Sequence, residues 1–321
     1  MKIGIVGCGG IARAHVNAYQ ANNAELVAFY DSFAESAKSF SEELGGQAYD
    51  SIDDMIASGI DAVSICTPPV AHTDNVLPFL DAGIPVLCEK PIELNGERAA
   101  ALTEKVNASN TLFMTAFCHR FHPPVIKLKE IIDSGELGDP ILLRNFFGGY
   151  MKLEGDHRIK PEISGGGCMI DHSCHAVDLF RFLVGEPTTV SAVTADVQNI
   201  PIEDLSAFSL KIGNSIIGSF NSTYSIPFCR NTVEWMGSKG SAVINYSKSV
   251  EGELLVAKDD QGWTAVDCAD MPERFTGEIT YFLDCVKSGT TPSITANDGL
   301  AANRIVDALY LSEAENRIVK V

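Results

Sequence analysis

The stretch Lys2-Ile3-Gly4-Ile5-Val6-Gly7-Cys8-Gly9-Gly10-Ile11-Ala12 decides how the first third of this chain reads. Lys2–Val6 is a short apolar run of the kind that makes a buried strand, and the glycines after it make a tight turn. From Ile11 to Asn22, residues Ile11, Ala14, His15, Ala18 and Tyr19 recur at helical spacing. Gly7–Ala12 thus lies between a strand and a helix and fits G-x-G-x-x-A. Gly7 permits the turn, Gly9 lets the backbone approach a pyrophosphate, and Ala12 allows close packing of helix on strand. Gly10 and Ile11 open the helix, whose N-terminus offers free N–H groups and a partial positive charge to phosphate.

The alternation continues outward. Ala24–Tyr30 reads as a strand stopped at Asp31, and Phe33–Leu44 as a helix closed by Gly45-Gly46. Asp61–Cys66, Pro85–Cys88 and Leu112–Ala116 are further strands, separated by helices at His72–Ala82 and Asn95–Ala108. Strands joined through helices pair in parallel. The pattern predicts a doubly wound α/β domain of the dinucleotide-binding (Rossmann) kind over residues 1–118. Asp31 falls roughly 20 residues past the loop, where a carboxylate accepts hydrogen bonds from an adenine-ribose diol and repels a 2′-phosphate. Ser32 beside it is a candidate for the same contact. No Arg or Lys occurs from Ser32 to Ala37, which favours NAD over NADP. Alternatively Asp31 caps the helix beginning near Phe33; the two roles are compatible.

The pattern changes past Thr188. Thr188–Asp196, Leu205–Ile212, Ser215–Tyr224, Asn231–Met236, Ala242–Asn245, Leu254–Ala257 and Trp263–Val266 read as strands joined by short turns, which implies antiparallel pairing. Two closing helices follow near Glu273–Lys287 and Asn297–Glu313. Residues 119–321 are therefore expected to form an α+β domain with a mostly antiparallel open sheet. Whether the last helix packs back on the first domain is left open by the sequence.

The chain has 321 residues, 24 basic and 42 acidic, for a net charge of −18. An acidic surface repels nucleic acid and anionic membranes, so neither is an expected partner. Nine cysteines without regular spacing do not make a disulfide framework. The apolar run at Met1–Val6 is too short for a signal peptide, and no stretch approaches the roughly 20 apolar residues of a membrane span. The expectation is a reduced, cytoplasmic protein.

A second constellation begins at Ser164-Gly165-Gly166-Gly167 and continues through Cys168, Asp171, His172, Cys174, His175 and Asp178. The pattern predicts one helix with Ile170, Val177, Phe180, Leu183 and Val184 buried, ended by Gly185. Asp171 and His175 are four apart and share a helix face. A carboxylate one turn away can orient an imidazole and stabilise its protonated form, as a general base requires. Such pairs are also common on ordinary helix surfaces. Asp178 reads as structural. Cys168, His172, Cys174 and His175 are possible zinc ligands, but zinc sites usually draw ligands from separated segments, and no metal is expected. His119 and Arg120, past the last strand of the first domain, and His157-Arg158, in a polar loop, are candidate substrate contacts; Arg120 is alternatively a salt-bridge partner at the domain junction.

Gly7, Asp31, Thr67 and Lys90 all fall at predicted carboxyl ends of strands, where open α/β sheets bind ligands. Lys90 precedes Pro91 and is expected to be extended; its plain reading is a solvent-exposed loop lysine. Four features together resemble the Gfo/Idh/MocA oxidoreductases: the loop Gly7–Ala12, Cys66-Thr67-Pro68-Pro69 with His72, Cys88-Glu89-Lys90-Pro91, and the stretch Gly165–Asp178. Arg120-Phe121-His122-Pro123, Lys129 and Gly135-Glu136-Leu137-Gly138 resemble that family's domain junction.

The resemblance implies hydride transfer between nicotinamide and a secondary alcohol of a sugar, polyol or inositol. It places Thr67, Pro68, His72 and Glu89 at the cofactor, with Glu89 on the nicotinamide ribose. It places Lys90 against both cofactor and substrate hydroxyl, the Asp171/His175 pair at the substrate, and the His157-Arg158 loop within its reach. It further implies a homodimer or homotetramer formed through the free face of the C-terminal sheet. Two rivals remain: a non-catalytic NAD(H) sensor, and an enzyme that uses NAD transiently in sugar elimination or glycoside cleavage. A relative acting on a different ring would depart from the Asp171/His175 pair.

Overall fold

The computed structural model describes residues 1–246, 253–258 and 262–321. They form two compact units: Met1–Cys118 with Phe275–Ala301, and His119–Arg274 with Ala302–Val321. The chain thus leaves the first unit after Cys118 and re-enters it for a segment that strand and helix periodicity assigns to the second domain.

In the first unit the elements are β1 (Lys2–Val6), α1 (Gly10–Ala21), β2 (Glu25–Tyr30), α2 (Ala34–Leu44), β3 (Gln47–Ala48), α3 (Ile52–Ala57), β4 (Ala62–Ile65), α4 (His72–Asp81), β5 (Val86–Glu89), α5 (Gly96–Ala108) and β6 (Phe113–Ala116). The strands are all parallel, in the order β3-β2-β1-β4-β5-β6. Nearly every residue of β1, β4, β5 and β6 is buried, as expected of a parallel sheet covered on both faces. Strand order reverses between β1 and β4, which opens a crevice at their carboxyl ends. The short elements β3 and α3 add to the sequence expectation; Ser51 caps α3 by accepting from the Asp54 N–H at 3.1 Å. The returning segment is tied in by hydrogen bonds from Thr115 Oγ1 to the Thr295 carbonyl (2.9 Å) and from Asn22 Nδ2 to the Thr276 carbonyl (3.2 Å).

The second unit holds α6 (Pro123–Asp133), β7 (Pro140–Gly148), α7 (Pro161–Ser164), α8 (Cys168–Asp171), α9 (Ser173–Leu183), β8 (Thr189–Ala195), β9 (Leu205–Ile212), β10 (Ile216–Thr223), β11 (Thr232–Gly237), β12 (Gly240–Asn245), β13 (Glu253–Lys258) and β14 (Trp263–Val266). Two helices follow β14, α10 (Arg274–Ser288) and α11 (Ala296–Glu315), and β15 (Val319–Lys320) ends the chain. The sheet order is β14-β13-β12-β11-β7-β10-β9-β8-β15, antiparallel except for β7 with β10. Strand β7, at the centre, is absent from the strands expected from sequence, because Arg144 and Asn145 interrupt its apolar run. In the sheet Arg144 faces out and pairs with Glu234 at 3.2 Å, while buried Asn145 donates from Nδ2 to the Thr232 carbonyl at 2.9 Å. One face of the sheet meets α9, where Phe180 and Phe220 pack edge-on. Ile217 and Val193, which alternate onto the other face, stay 48% and 63% exposed. Among the described residues no helix is long and apolar enough to cross a membrane.

Candidate active site

The parallel sheet of the first unit brings Gly7, Asp31, Thr67 and Lys90 to one edge, since each lies within two residues of a strand's carboxyl end. Gly7 has φ 87°, and a Cβ there would lie 2.7 Å from backbone atoms of Cys66 and Thr67, so only glycine fits. Gly9 and Gly10 are exposed, with nothing within 4 Å of where a Cβ would stand. Their backbone is thus open to a ligand at the N-terminus of α1, and the loop fits a dinucleotide pyrophosphate. Asp31 anchors this loop: Oδ2 accepts from the Cys8 N–H at 2.7 Å and Oδ1 from the Phe33 N–H at 2.8 Å. The capping alternative is not what the fold shows: Phe33 is the N-cap of α2 and no side chain caps that helix, and the bond from the Phe33 N–H closes a turn ahead of it. Each oxygen keeps a further lone pair for a diol. Burial, and then Asp31, push the Cys8 thiol up to about 12, so it is a protonated, unreactive thiol at neutral pH. Ser32 is exposed, and Phe33 beside it is 75% exposed.

His72 departs from the expectation that it touches the cofactor. It is fully buried, with Nε2 2.8 Å from the Thr67 carbonyl oxygen and Nδ1 3.1 Å from that of Ile92. Burial pushes this imidazole down, so the neutral ring donates from one nitrogen to one of these carbonyls and packs against the other, between the loop after β4 and the segment after β5. Thr67 Oγ1 accepts from Asn75 Nδ2 at 3.2 Å, and Thr67 and Pro68 are half-buried. Glu89 is 5% exposed. Its Oε1 lies 2.9 Å from His15 Nε2, and its Oε2 accepts from the Lys90 N–H at 3.1 Å. Lys90 itself is half-buried, not the exposed loop lysine of the plain reading.

In the second unit the predicted helix is interrupted. The segments α8 and α9 meet at His172, whose backbone stays in the right-handed helical region (φ −83°, ψ −41°). The buried face of α9 carries Cys174, Val177, Asp178 and Phe180, while Asp171, His172 and His175 remain half-buried. The preceding loop is held from afar: Glu203 Oε1 accepts from the N–H groups of Gly167 and Met169, both at 2.9 Å, and from Tyr310 Oη at 2.8 Å. Asp171 is fixed by fully buried Tyr224, whose Oη donates to Oδ2 at 2.6 Å. A cavity of about 400 Å³ is lined by four of the protein's seven histidines, His119, His122, His172 and His175. The His119 and His175 rings lie 4.3 Å apart. Asn231, Tyr246, Glu273 and Arg274 complete the polar wall. Burial, helped by Arg274, pushes His122 down to about 3. The sulfurs of Cys168 and Cys174 turn instead to the carbonyls of Ser222 (3.3 Å) and Asp171 (3.2 Å), so the two thiols and two imidazoles do not converge as a zinc set.

A family model described as "Oxidoreductase family, NAD-binding Rossmann fold" matches residues 1–117, and one described as "GFO/IDH/MocA C-terminal domain" matches residues 125–243. The chain belongs to the Gfo/Idh/MocA family. This Gfo/Idh/MocA chain is 29% identical over 343 residues to "Inositol 2-dehydrogenase" of Rhizobium meliloti (strain 1021), covering 100% of this chain and 99% of that protein. It is 28% identical over 329 residues to "D-xylose 1-dehydrogenase (NADP(+)) 2" of Haloferax volcanii, covering 100% of both. Among solved structures it resembles levoglucosan dehydrogenase in complex with NADH and levoglucosan, with a TM-score of 0.93 and 25% identity over 100% of this chain and 99% of that one.

Three candidate contact residues of the Gfo/Idh/MocA chain, Arg120, His157 and Arg158, are absent from the cavity lining. Arg120 forms a bidentate pair with Asp178, Nε to Oδ2 at 2.9 Å and Nη2 to Oδ1 at 2.6 Å, and both side chains are buried or nearly so. That geometry matches the salt-bridge alternative and commits the guanidinium elsewhere than to a substrate. His157 and Arg158 lie in a short turn where both side chains approach Asp156, at 3.3 and 3.4 Å. Sequence reading missed His122, Tyr246, Asn231, Arg274, Tyr224, Glu203 and Tyr310. Of these only His122 carried a signal, as part of the domain-junction motif; His172 reads from sequence only as a possible zinc ligand.

Proposed function

We propose that this protein is an NAD-dependent dehydrogenase acting on a secondary alcohol of a sugar, polyol or inositol. The observation that carries it is the strand-end edge: an open glycine loop, Asp31, Thr67 and Lys90 on one side of a parallel sheet. Bound there, a nicotinamide cofactor supplies hydride acceptance and return, which protein side chains do not provide. The chain's own residues bind and orient. The Gly9-Gly10 backbone meets the pyrophosphate, Asp31 the adenine ribose, and Glu89 the nicotinamide ribose. Lys90 donates a hydrogen bond from Nζ to the reacting oxygen. His175 takes the hydroxyl proton on a ring nitrogen, and Asp171, held by Tyr224, orients that imidazole and stabilises its charge. The carboxylate of Asp31 and the lack of Arg or Lys from Ser32 to Ala37 favour NAD over NADP. Nine free cysteines, eight of them buried, fit a reducing, cytoplasmic setting. The exposed sheet face fits a homodimer or homotetramer.

The test is NADH formation followed by absorbance, with NAD and then NADP, against inositols, aldoses and sugar acids. One polyol or sugar should give signal with NAD. Lys90→Ala and His175→Ala should each lower kcat by about a hundredfold or more, as loss of a general base or positioned donor does, with NADH still bound. Near wild-type turnover in Lys90→Ala would sink that assignment. Absence of net NADH from every compound, with NAD measurably bound, would sink the dehydrogenase reading.

A further inference from the structure

We propose that His15 is a positioning residue for the cofactor edge, acting through Glu89. The inference rests on the reading of Glu89 and Lys90 as part of that site. His15 lies on α1, fully buried. Its Nε2 is 2.9 Å from Glu89 Oε1 and its Nδ1 3.2 Å from Ser64 Oγ, which in turn is 2.8 Å from Tyr19 Oη. The Phe275 ring stands 6.3 Å away. Helical spacing alone would be satisfied by an apolar residue here, with no polar group to desolvate. A buried carboxylate without such a neighbour takes up a proton or turns toward water. His15 offers the Glu89 carboxylate a partner at a fixed place.

Burial pushes the imidazole down, while Cys66 and Glu89 push it up to about 10; the buried Cys66 thiol is itself raised above its ordinary value and neutral at pH 7, so at neutral pH the partner that matters is the Glu89 carboxylate at 2.9 Å. With Oε1 held by His15, Oε2 is left to accept the Lys90 N–H at 3.1 Å. A chain of contacts therefore runs from α1 through Glu89 to the backbone of Lys90. The same helix opens at the glycine loop. One rigid element thus fixes the loop expected to face the pyrophosphate and the turn expected to face the nicotinamide.

The test uses the full-length protein, NADH as the binding probe, and the compound that the wild type turns over. Three variants decide it. His15→Leu removes the donor, His15→Asn is too short to reach Glu89, and His15→Gln keeps an amide N–H near the position of Nε2. His15→Leu and His15→Asn should raise the NADH Kd and lower kcat by about tenfold or more, the scale of a misplaced site group. His15→Gln should stay within about threefold of wild type in both, since it restores the hydrogen bond. A purely structural role predicts losses that follow melting temperature and no rescue by Gln. Equal behaviour of Asn and Gln, or an unaltered Kd and kcat in Asn, overturns the proposal even if His15→Leu does not fold. If Lys90→Ala is fully active, the reading of the site fails. If Lys90→Ala is inactive while the His15 variants match wild type, only the role of His15 fails.

Discussion

His122 shows how a single buried side chain ties stability to pH. In the fold its pKa is about 3, lowered first by burial and then by Arg274, whereas an unfolded histidine titrates near 6.5. Between those values the unfolded chain binds a proton that the folded one refuses. Stability is therefore full above about pH 6.5 and falls as pH drops through that window, at up to about 1.4 kcal/mol per pH unit from this residue. Urea unfolding from pH 7 to pH 4.5 should show wild type losing stability more steeply than His122→Gln, by one proton in slope. Equal slopes would mean that His122 takes up its proton in the fold. The Nδ1 of His122 has no hydrogen-bond partner among the described residues, and it sits at the wall of the cavity. The fold tolerates this imidazole only while it is neutral.

At the scale of elements, the short helices α8 and α9 depend on partners distant in sequence. A Cβ on Gly167 would collide with the Glu203 carbonyl, and one on Gly166, at φ 154°, with Tyr310 Oη. Neither residue can change without moving the Tyr310 side chain of α11 or the turn before β9 that carries Glu203. Gly167→Ala should cost about 1–3 kcal/mol, as overpacking does. It should lower kcat while leaving the NADH Kd within about twofold, because the strain stays in the second unit. Thermal melts and an NADH fluorescence titration check both parts, and an unchanged melt would show that the loop yields freely. Such dependence explains what was legible in the sequence. Strand-glycine-helix order and the Lys90-Pro91 turn after β5 are local, so residues within a few positions of one another announce them. Tyr224, Glu203 and Tyr310 reach the site from other elements, and no spacing rule connects them to Asp171 or Gly167. Strand β7 was hidden for a related reason. Its Arg144 finds Glu234, and its Asn145 finds the Thr232 carbonyl, only once β11 lies alongside.

For the whole molecule, the fold class followed from hydrophobic period, because helix and strand alternation forces parallel pairing and short turns force antiparallel pairing. Segment 275–301 was not legible, since membership of a unit depends on tertiary contacts such as that of Thr115 with Thr295 and not on period. His15 was visible only as one position of a helical stripe, although its ring makes the polar contacts that set it apart. The open sheet face bears Ile217 and Val193 at 48% and 63% exposure. Exposed apolar side chains on a broad sheet favour association, so light scattering should give a dimer or tetramer, and Ile217→Glu with Val193→Glu should give a monomer. A wild-type monomer would refute that assembly.

The glycine loop also bears on heritable change. Gly7 is locked by the backbone of Cys66 and Thr67, and Asp31 by two N–H bonds that hold the loop in shape. Ser32 and Phe33 project into open surroundings and can mutate at little cost to folding. On the NAD preference proposed above, a lineage of this protein adapting to a coenzyme with a 2′-phosphate would thus find its accessible first steps in basic residues at 32 and 33. Replacement of Asp31 would be accepted only after such steps had been taken.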